Sequence, residues 1–128
     1  MTPDIELVTA AGAPEAIGPY SHAAKVGNLL FCSGQIPIDP ETKAIVPGGI
    51  EEQTRQVLTN IKAVMASQGV ELSAIAKTTI FLTSMSDFPT VNGLYAEAFG
   101  EHKPARSTIQ VAGLPLGSLV EIECIAVL

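Results

Sequence analysis

The sequence predicts an α+β fold, a single mixed β-sheet with two helices packed on one of its faces. Three observations carry this. Residues 104–127 alternate side-chain character with the period of two that a strand imposes. Residues 50–65 and 88–99 instead space their apolar side chains by three and four, the period of an amphipathic helix. The elements then follow the order strand, hairpin, helix, strand, helix, hairpin. With 128 residues, 47% of them hydrophobic, the chain suits one domain spanning 1–128 around a substantial core.

Taken in order, Ile5 to Thr9 is a short strand candidate. Gly12, Pro14, Gly18 and Pro19 break any periodicity after it, and Tyr20 stands at the Gly-Pro corner, either a structural peg or a lid over a pocket. His22–Val26 and Leu29–Cys32 flank Gly27-Asn28, a two-residue hairpin signal. In Ser33-Gly34-Gln35 the glycine either lets backbone N–H groups approach a ligand or marks a bulge. Pro37, Asp39-Pro40 and Pro47-Gly48-Gly49 make a loop.

Ile50, Thr54, Val57, Leu58, Ile61, Val64 and Met65 form the first helical stripe. Glu51 and Glu52 suit its first turn and Gly69 its end. Ile75–Thr83 reads as a strand with Ala76, Thr78, Ile80 and Leu82 on one face. Ser86 or Asp87 is placed to cap a second helix, whose stripe Phe88, Val91, Tyr95, Ala98, Phe99 is stopped by Gly100. Met65 and Phe99 belong to the core on this reading.

The last two strands are expected to form a pair. In one, Ala105, Ser107, Ile109 and Val111 alternate with Arg106, Thr108 and Gln110; in the other, Val120, Ile122, Cys124 and Ala126 alternate with Glu121 and Glu123. Gly113, Pro115 and Gly117 mark the loop between them. Lys77, Thr79, Arg106, Thr108, Gln110 and Glu121 are then expected together on a half-polar sheet face turned away from the helices. A guanidinium and a carboxylate on rigid strands can hold a small anion and orient a water beside it. They can equally pair with each other on a solvated face.

Net charge is −6, with only seven Lys and Arg and no basic block, which argues against nucleic-acid binding. Charged residues make up only 16%, a hint that a partner subunit covers some apolar surface. The opening run MTPDIELV carries neither the basic region nor the apolar stretch of a signal peptide. No stretch approaches membrane-spanning length, so a cytoplasmic protein is expected. Cys32 and Cys124 read as buried free thiols. His22 and His102 have no Cys or His neighbours at ligand spacing, and no metal site is expected.

Six runs, IGPYSHA, FCSGQIPIDP, KTTIFL, DFPTVN, PARST and VEIECIAV, appear in order along nearly the whole chain. Together they resemble the reactive-intermediate deaminases, the YjgF-type family, in its RidA branch. The resemblance implies a fold like Bacillus-type chorismate mutase, assembled as a homotrimer with three clefts between subunits. It implies a 2-iminobutanoate/2-iminopropanoate deaminase, which hydrolyses 2-enamino and 2-imino acids such as 2-aminoacrylate to 2-oxo acids and ammonia without a cofactor. By the same resemblance Arg106 pairs with the substrate carboxylate and Glu121 positions the attacking water. Tyr20 stands at the cleft mouth, Ser33 and Gly34 form its backbone wall, and Asn92 lies nearby. Thr108 occupies a position where many members carry Cys, so a thiol nucleophile is not required. The competing reading is a non-catalytic trimer that binds small carboxylates such as 2-oxo acids on the same fold.

Overall fold

In the computed structural model, which describes residues 4–128, six strands and two helices form the α+β arrangement. Met1–Pro3 of the opening run lie outside the described residues. The strands are β1 (Glu6–Val8), β2 (Ala23–Val26), β3 (Leu29–Gln35), β4 (Ile75–Leu82), β5 (Ala105–Gln110) and β6 (Val120–Val127). The helices are α1 (Ile50–Ser67) and α2 (Phe88–Phe99). They form one mixed sheet in the order β1-β2-β3-β6-β4-β5, with only β4 and β5 parallel.

The closing hairpin expected from the sequence is not formed. β5 pairs with β4, and β6 inserts between β3 and β4. Residues 111–119 cross the end of β4, where Val111 N–H donates to Leu82 C=O at 2.8 Å and Thr83 N–H to Leu119 C=O at 3.2 Å. The reason lies in burial. Val120, Ile122, Cys124 and Ala126 are the most apolar strand face in the chain and become almost wholly inaccessible in the central slot. The β4–α2–β5 segment is a parallel crossover, so β5 takes the edge instead.

Gly27-Asn28 joins β2 and β3 with Gly27 at φ 59°, as a tight hairpin requires. α1 buries Thr54, Val57, Leu58, Ile61, Val64 and Met65, the stripe read from the sequence. It ends in a Schellman motif. Gly69, at φ 71°, donates to Ala66 C=O, and Val70 N–H reaches back to Met65 C=O at 3.1 Å. α2 stops at Gly100, φ 61°. Neither expected cap works as one: Asp87 occupies the N-cap position without a side-chain bond, and Ser84 caps the preceding turn by accepting from Ser86 N–H.

In β4 a register shift between Ile75 and Lys77 resets the alternation. Ile75, Thr78, Ile80 and Leu82 are therefore buried beneath the helices, and Ala76 is exposed.

Four polar side chains fasten this core where the sequence shows no pattern. Asn60 donates from its amide to Ile36 C=O and Ile38 C=O, pinning the 36–46 loop to α1. Gln53 accepts from Leu119 N–H at 2.8 Å, and Thr78 shares a 2.7 Å hydrogen bond with Tyr95. Buried His22 accepts from Ala10 N–H at 2.8 Å through Nδ1 and donates from Nε2 to Pro14 C=O at 2.7 Å. That pair of bonds fixes a neutral imidazole and ties the 10–14 loop to β2. Replacing His22 by Phe keeps an aromatic ring but orphans two buried backbone groups, each costing about 1–3 kcal/mol. Urea denaturation of His22→Phe is expected to show a loss of about 2 kcal/mol or more with an unchanged slope.

Candidate functional site

The pleat places the expected site residues on two faces of the sheet. Arg106 lies opposite Thr78 in the parallel β4–β5 register, and Thr108 lies opposite Ile80. Both β4 residues point to the helices, so Arg106, Thr108 and Gln110 are on the helix side. Glu121 lies opposite Phe81, and Glu123 opposite Thr79, on the open face. The common half-polar face expected for Arg106 and Glu121 does not exist within one chain. The direct ion pair expected as the bland alternative is ruled out with it.

The open face is also more apolar than the sequence reading had it. Leu7, Val26, Leu29, Phe31, Ile109 and Val127 are exposed, with Lys77, Thr79, Glu121 and Glu123 among them. β2 and β3 supply three of these six side chains, Val26, Leu29 and Phe31.

Around Arg106 the site is built by α2. The guanidinium carbon lies 4.9 Å from the Tyr95 ring centroid and 5.4 Å from that of Phe88. One guanidinium nitrogen donates to Asn92 Oδ1 at 2.8 Å. Phe88, Asn92 and Tyr95 are spaced by four and three, so one helix face holds the group. Tyr95 is itself anchored, stacked on Phe99 at 4.4 Å and bonded to Thr78. Burial holds the Tyr95 hydroxyl above its usual pKa despite the Thr78 bond and the nearby Arg106 charge. A cavity of about 370 Å³ opens beside it, lined by Asn92, Tyr95, Phe99, His102, Lys103 and Arg106. The sequence reading absorbed Phe88 and Tyr95 into the core stripe; their spacing around Asn92 was the available signal. The Thr108 hydroxyl is buried two residues along, with no hydrogen-bond partner among the described residues.

The second cluster joins Tyr20, Ser33, Gly34 and Glu121 around a cavity of about 480 Å³ walled by Ile17 and Ile36. Tyr20 is exposed at its mouth, and its hydroxyl accepts from Ile17 N–H at 3.3 Å. Ser33 is fixed twice, by its N–H to His22 C=O at 3.0 Å and its hydroxyl to Ser21 C=O at 2.6 Å. Gly34 does mark a bulge, since the β3–β6 register slips between Cys32 and Gln35. Burial raises the Glu121 carboxyl above its ordinary pKa, and the charge of Glu123 adds to the effect.

Among the described residues no group of three or more His, Cys, Asp or Glu is arranged to hold a metal ion. Likewise no helix among them is long and apolar enough to cross a membrane. Cys32 and Cys124 are free, buried register partners on β3 and β6. Their mutual contact pushes Cys124 up and Cys32 down.

Residues 10–128 match the model of the endoribonuclease L-PSP family. A RutC family protein of Pyrococcus horikoshii is 53% identical over 121 residues, 94% of this chain and 96% of that protein. The 2-iminobutanoate/2-iminopropanoate deaminase of Mus musculus is 43% identical over 122 residues, 95% of this chain and 90% of its own length. The crystal structure of E. coli TdcF with bound serine superposes with a TM-score of 0.90 at 41% identity, covering 96% of this chain and 98% of that one.

Burial raises the pKa of the Glu121 carboxyl in the fold, so folding works against its charged form. Its ionisation therefore costs stability as pH rises through that raised value. Glu121→Gln removes the cost. The variant is expected to melt above the parent at neutral pH, with the gap closing below the ordinary carboxylate range; calorimetry at several pH values checks this.

Proposed function

The chain belongs to the endoribonuclease L-PSP family, the YjgF/RidA family, and on that footing we propose that it is a deaminase of reactive 2-enamino and 2-imino acids. The observation that carries this is the pre-set guanidinium of Arg106, with aromatic rings against it and one nitrogen engaged by Asn92. Among the described residues the other nitrogens have no partner, which leaves them for a carboxylate. The deaminase named among its relatives and the serine, itself an α-amino acid, bound by TdcF support the same substrate class.

The substrate carries its own electrophile, an imine carbon next to the carboxylate. Arg106 holds the carboxylate. Glu121 accepts a hydrogen bond from a water, which adds to the imine carbon as its proton moves to the carboxylate. The protonated Glu121 passes that proton to the imine nitrogen, giving a carbinolamine. Glu121 then takes the carbinolamine's hydroxyl proton and delivers it to nitrogen as the C–N bond breaks and the C=O bond forms, giving a 2-oxo acid and ammonia. A carboxyl with a raised pKa suits both steps. The sequence of bonds made and broken draws on no cofactor.

Since Arg106 and Glu121 project from opposite faces of one sheet, a working cleft needs two copies. One contributes Arg106, Asn92 and Thr108, and its neighbour contributes Tyr20, Ser33, Gly34 and Glu121. A homotrimer like the chorismate-mutase-type assembly provides three such clefts and covers the apolar open face. The two unpaired buried thiols suit a reducing cytoplasm. An endoribonuclease role, as the family description words it, has less support. Thirteen acidic residues outnumber seven basic ones, and Glu121 lines the second cavity. A trimer that only binds carboxylates would use the Arg106 half without Glu121.

Imine hydrolysis, followed as 2-oxo acid release in a coupled amino-acid oxidase assay, separates these readings. Arg106→Ala removes charge-assisted bonds of roughly 1.5–3 kcal/mol each and is expected to weaken carboxylate binding about 100-fold or more. Arg106→Lys is expected to recover little, because a single ammonium lacks the planar fork. Wild-type rates in Arg106→Lys would end the assignment of this site.

Mixing tests the shared cleft. Arg106→Ala and Glu121→Gln trimers, each impaired alone, should regain activity once subunits exchange, because some mixed clefts then carry both native residues. No recovery after proven exchange would place both groups in one subunit's site and contradict the two-copy cleft.

A further inference from the structure

We propose that Gly34 is a positioning residue for Glu121, its missing side chain forming the seat in which the Glu121 carboxylate rests. The contact stands on geometry alone; its consequence for hydrolysis rests on the role of Glu121 proposed above.

A β-carbon placed on Gly34 would fall on Oε2 of Glu121 and lie 2.8 Å from its Cδ and 2.9 Å from its Cγ. Carbon atoms in favourable contact stay about 3.5–4.0 Å apart. Any other residue here must therefore push the carboxylate out of its place. Backbone conformation does not explain the glycine. Gly12, Gly27, Gly48, Gly69, Gly100 and Gly117 have positive φ, and Gly34 is not among them. Space, and not a left-handed turn, is what the position requires.

The bulge explains how a β3 glycine comes to lie under a β6 side chain. Cys32 faces Cys124 and Gln35 faces Ile122, so Ser33 and Gly34 together oppose the single residue Glu123. The two bonds of Ser33 to Ser21 and His22 anchor the bulge from the β2 side. Gly34 is thereby held against the side chain one step farther along β6, that of Glu121. The carboxylate gains a rigid floor and becomes half-buried.

This role differs from that of a backbone wall. A wall contacts the substrate and governs KM; a seat acts through Glu121 and governs kcat. Gly34→Ala is expected to keep the fold and the trimer while kcat for imine hydrolysis falls by roughly 10²-fold, the lower range of general acid–base help, with KM unchanged. On a Glu121→Ala background the same substitution is expected to cost nothing further. Independently of any activity, carbon-13 NMR of labelled glutamate is expected to show the Glu121 carboxyl titrating nearer its ordinary range in Gly34→Ala, since the side chain has moved toward water.

If Gly34→Ala folds poorly, the double variant Gly34→Ala with Glu121→Ala decides the matter. Truncation at Cβ removes the Cγ, Cδ and carboxylate oxygens that the new β-carbon would meet and should raise the melting temperature above that of Gly34→Ala alone. A Glu121 carboxyl that titrates as in the parent, a loss confined to KM, or a double variant no more stable than the single one would each overturn the proposal. A displaced carboxyl with undiminished hydrolysis would uphold the seat and remove Glu121 from the chemistry.

Discussion

The strictest constraint on this molecule is the two-residue pleat of a sheet whose central strand is β6. Once Val120, Ile122, Cys124 and Ala126 are committed to the helix side, Glu121 and Glu123 must face the other way. The parallel register of β5 on β4 commits Arg106 to the helix side by the same rule. A slip of one residue along β6 would move its whole set of core side chains into water, so that assignment cannot drift. β5, an edge strand with no buried side chain, is held instead by its crossover from β4 and by the contacts of Arg106 with α2. The separation of the guanidinium from the carboxylate is thus a property of the core before it is a property of the site.

Each half of the site is held by a different means, and the difference suits its proposed task. Arg106 lies on an edge strand, exposed, and rigid elements define its position: two rings and an amide from α2, with Tyr95 anchored in turn through Thr78. A charge fixed in this way keeps most of its hydrogen-bonding capacity for a ligand. Glu121 sits beside a bulge in the middle of the sheet, where partial burial works against its charge. A carboxylate whose charge is disfavoured in this way is a stronger proton acceptor than an exposed one. Neither environment comes from the site residues themselves. Both are made by helix packing and strand register several residues away.

How much of this could be read from the chain differs by element. Both helices follow from their apolar spacing, and the Gly27-Asn28 turn follows from its dipeptide, because these depend on residues close in sequence. The pairing of the last strands was misread as a hairpin. Nothing local distinguishes a strand that returns beside its predecessor from one that crosses an intervening strand to a more buried slot. Ala76 was assigned to the wrong face because a register slip in β4 leaves no mark on the pattern. The buried polar pegs His22, Gln53 and Asn60 were not recognised either, since their partners lie 12, 66 and 24 residues away in the chain.

By itself the sequence determined the α+β class, the two helices and the strand candidates, and it supplied a guanidinium at Arg106 and a carboxylate at Glu121. Those properties reside in short-range periodicity and in the chemistry of individual side chains. Only the tertiary structure decided that β6 lies between β3 and β4, that Arg106 and Glu121 leave opposite faces, that Phe88 and Tyr95 clamp the guanidinium, and that Gly34 lies against the Glu121 carboxylate. These are consequences of which strand pairs with which. That choice is made by burying the most apolar face at the centre of the sheet, a competition among distant segments that no window of the sequence contains.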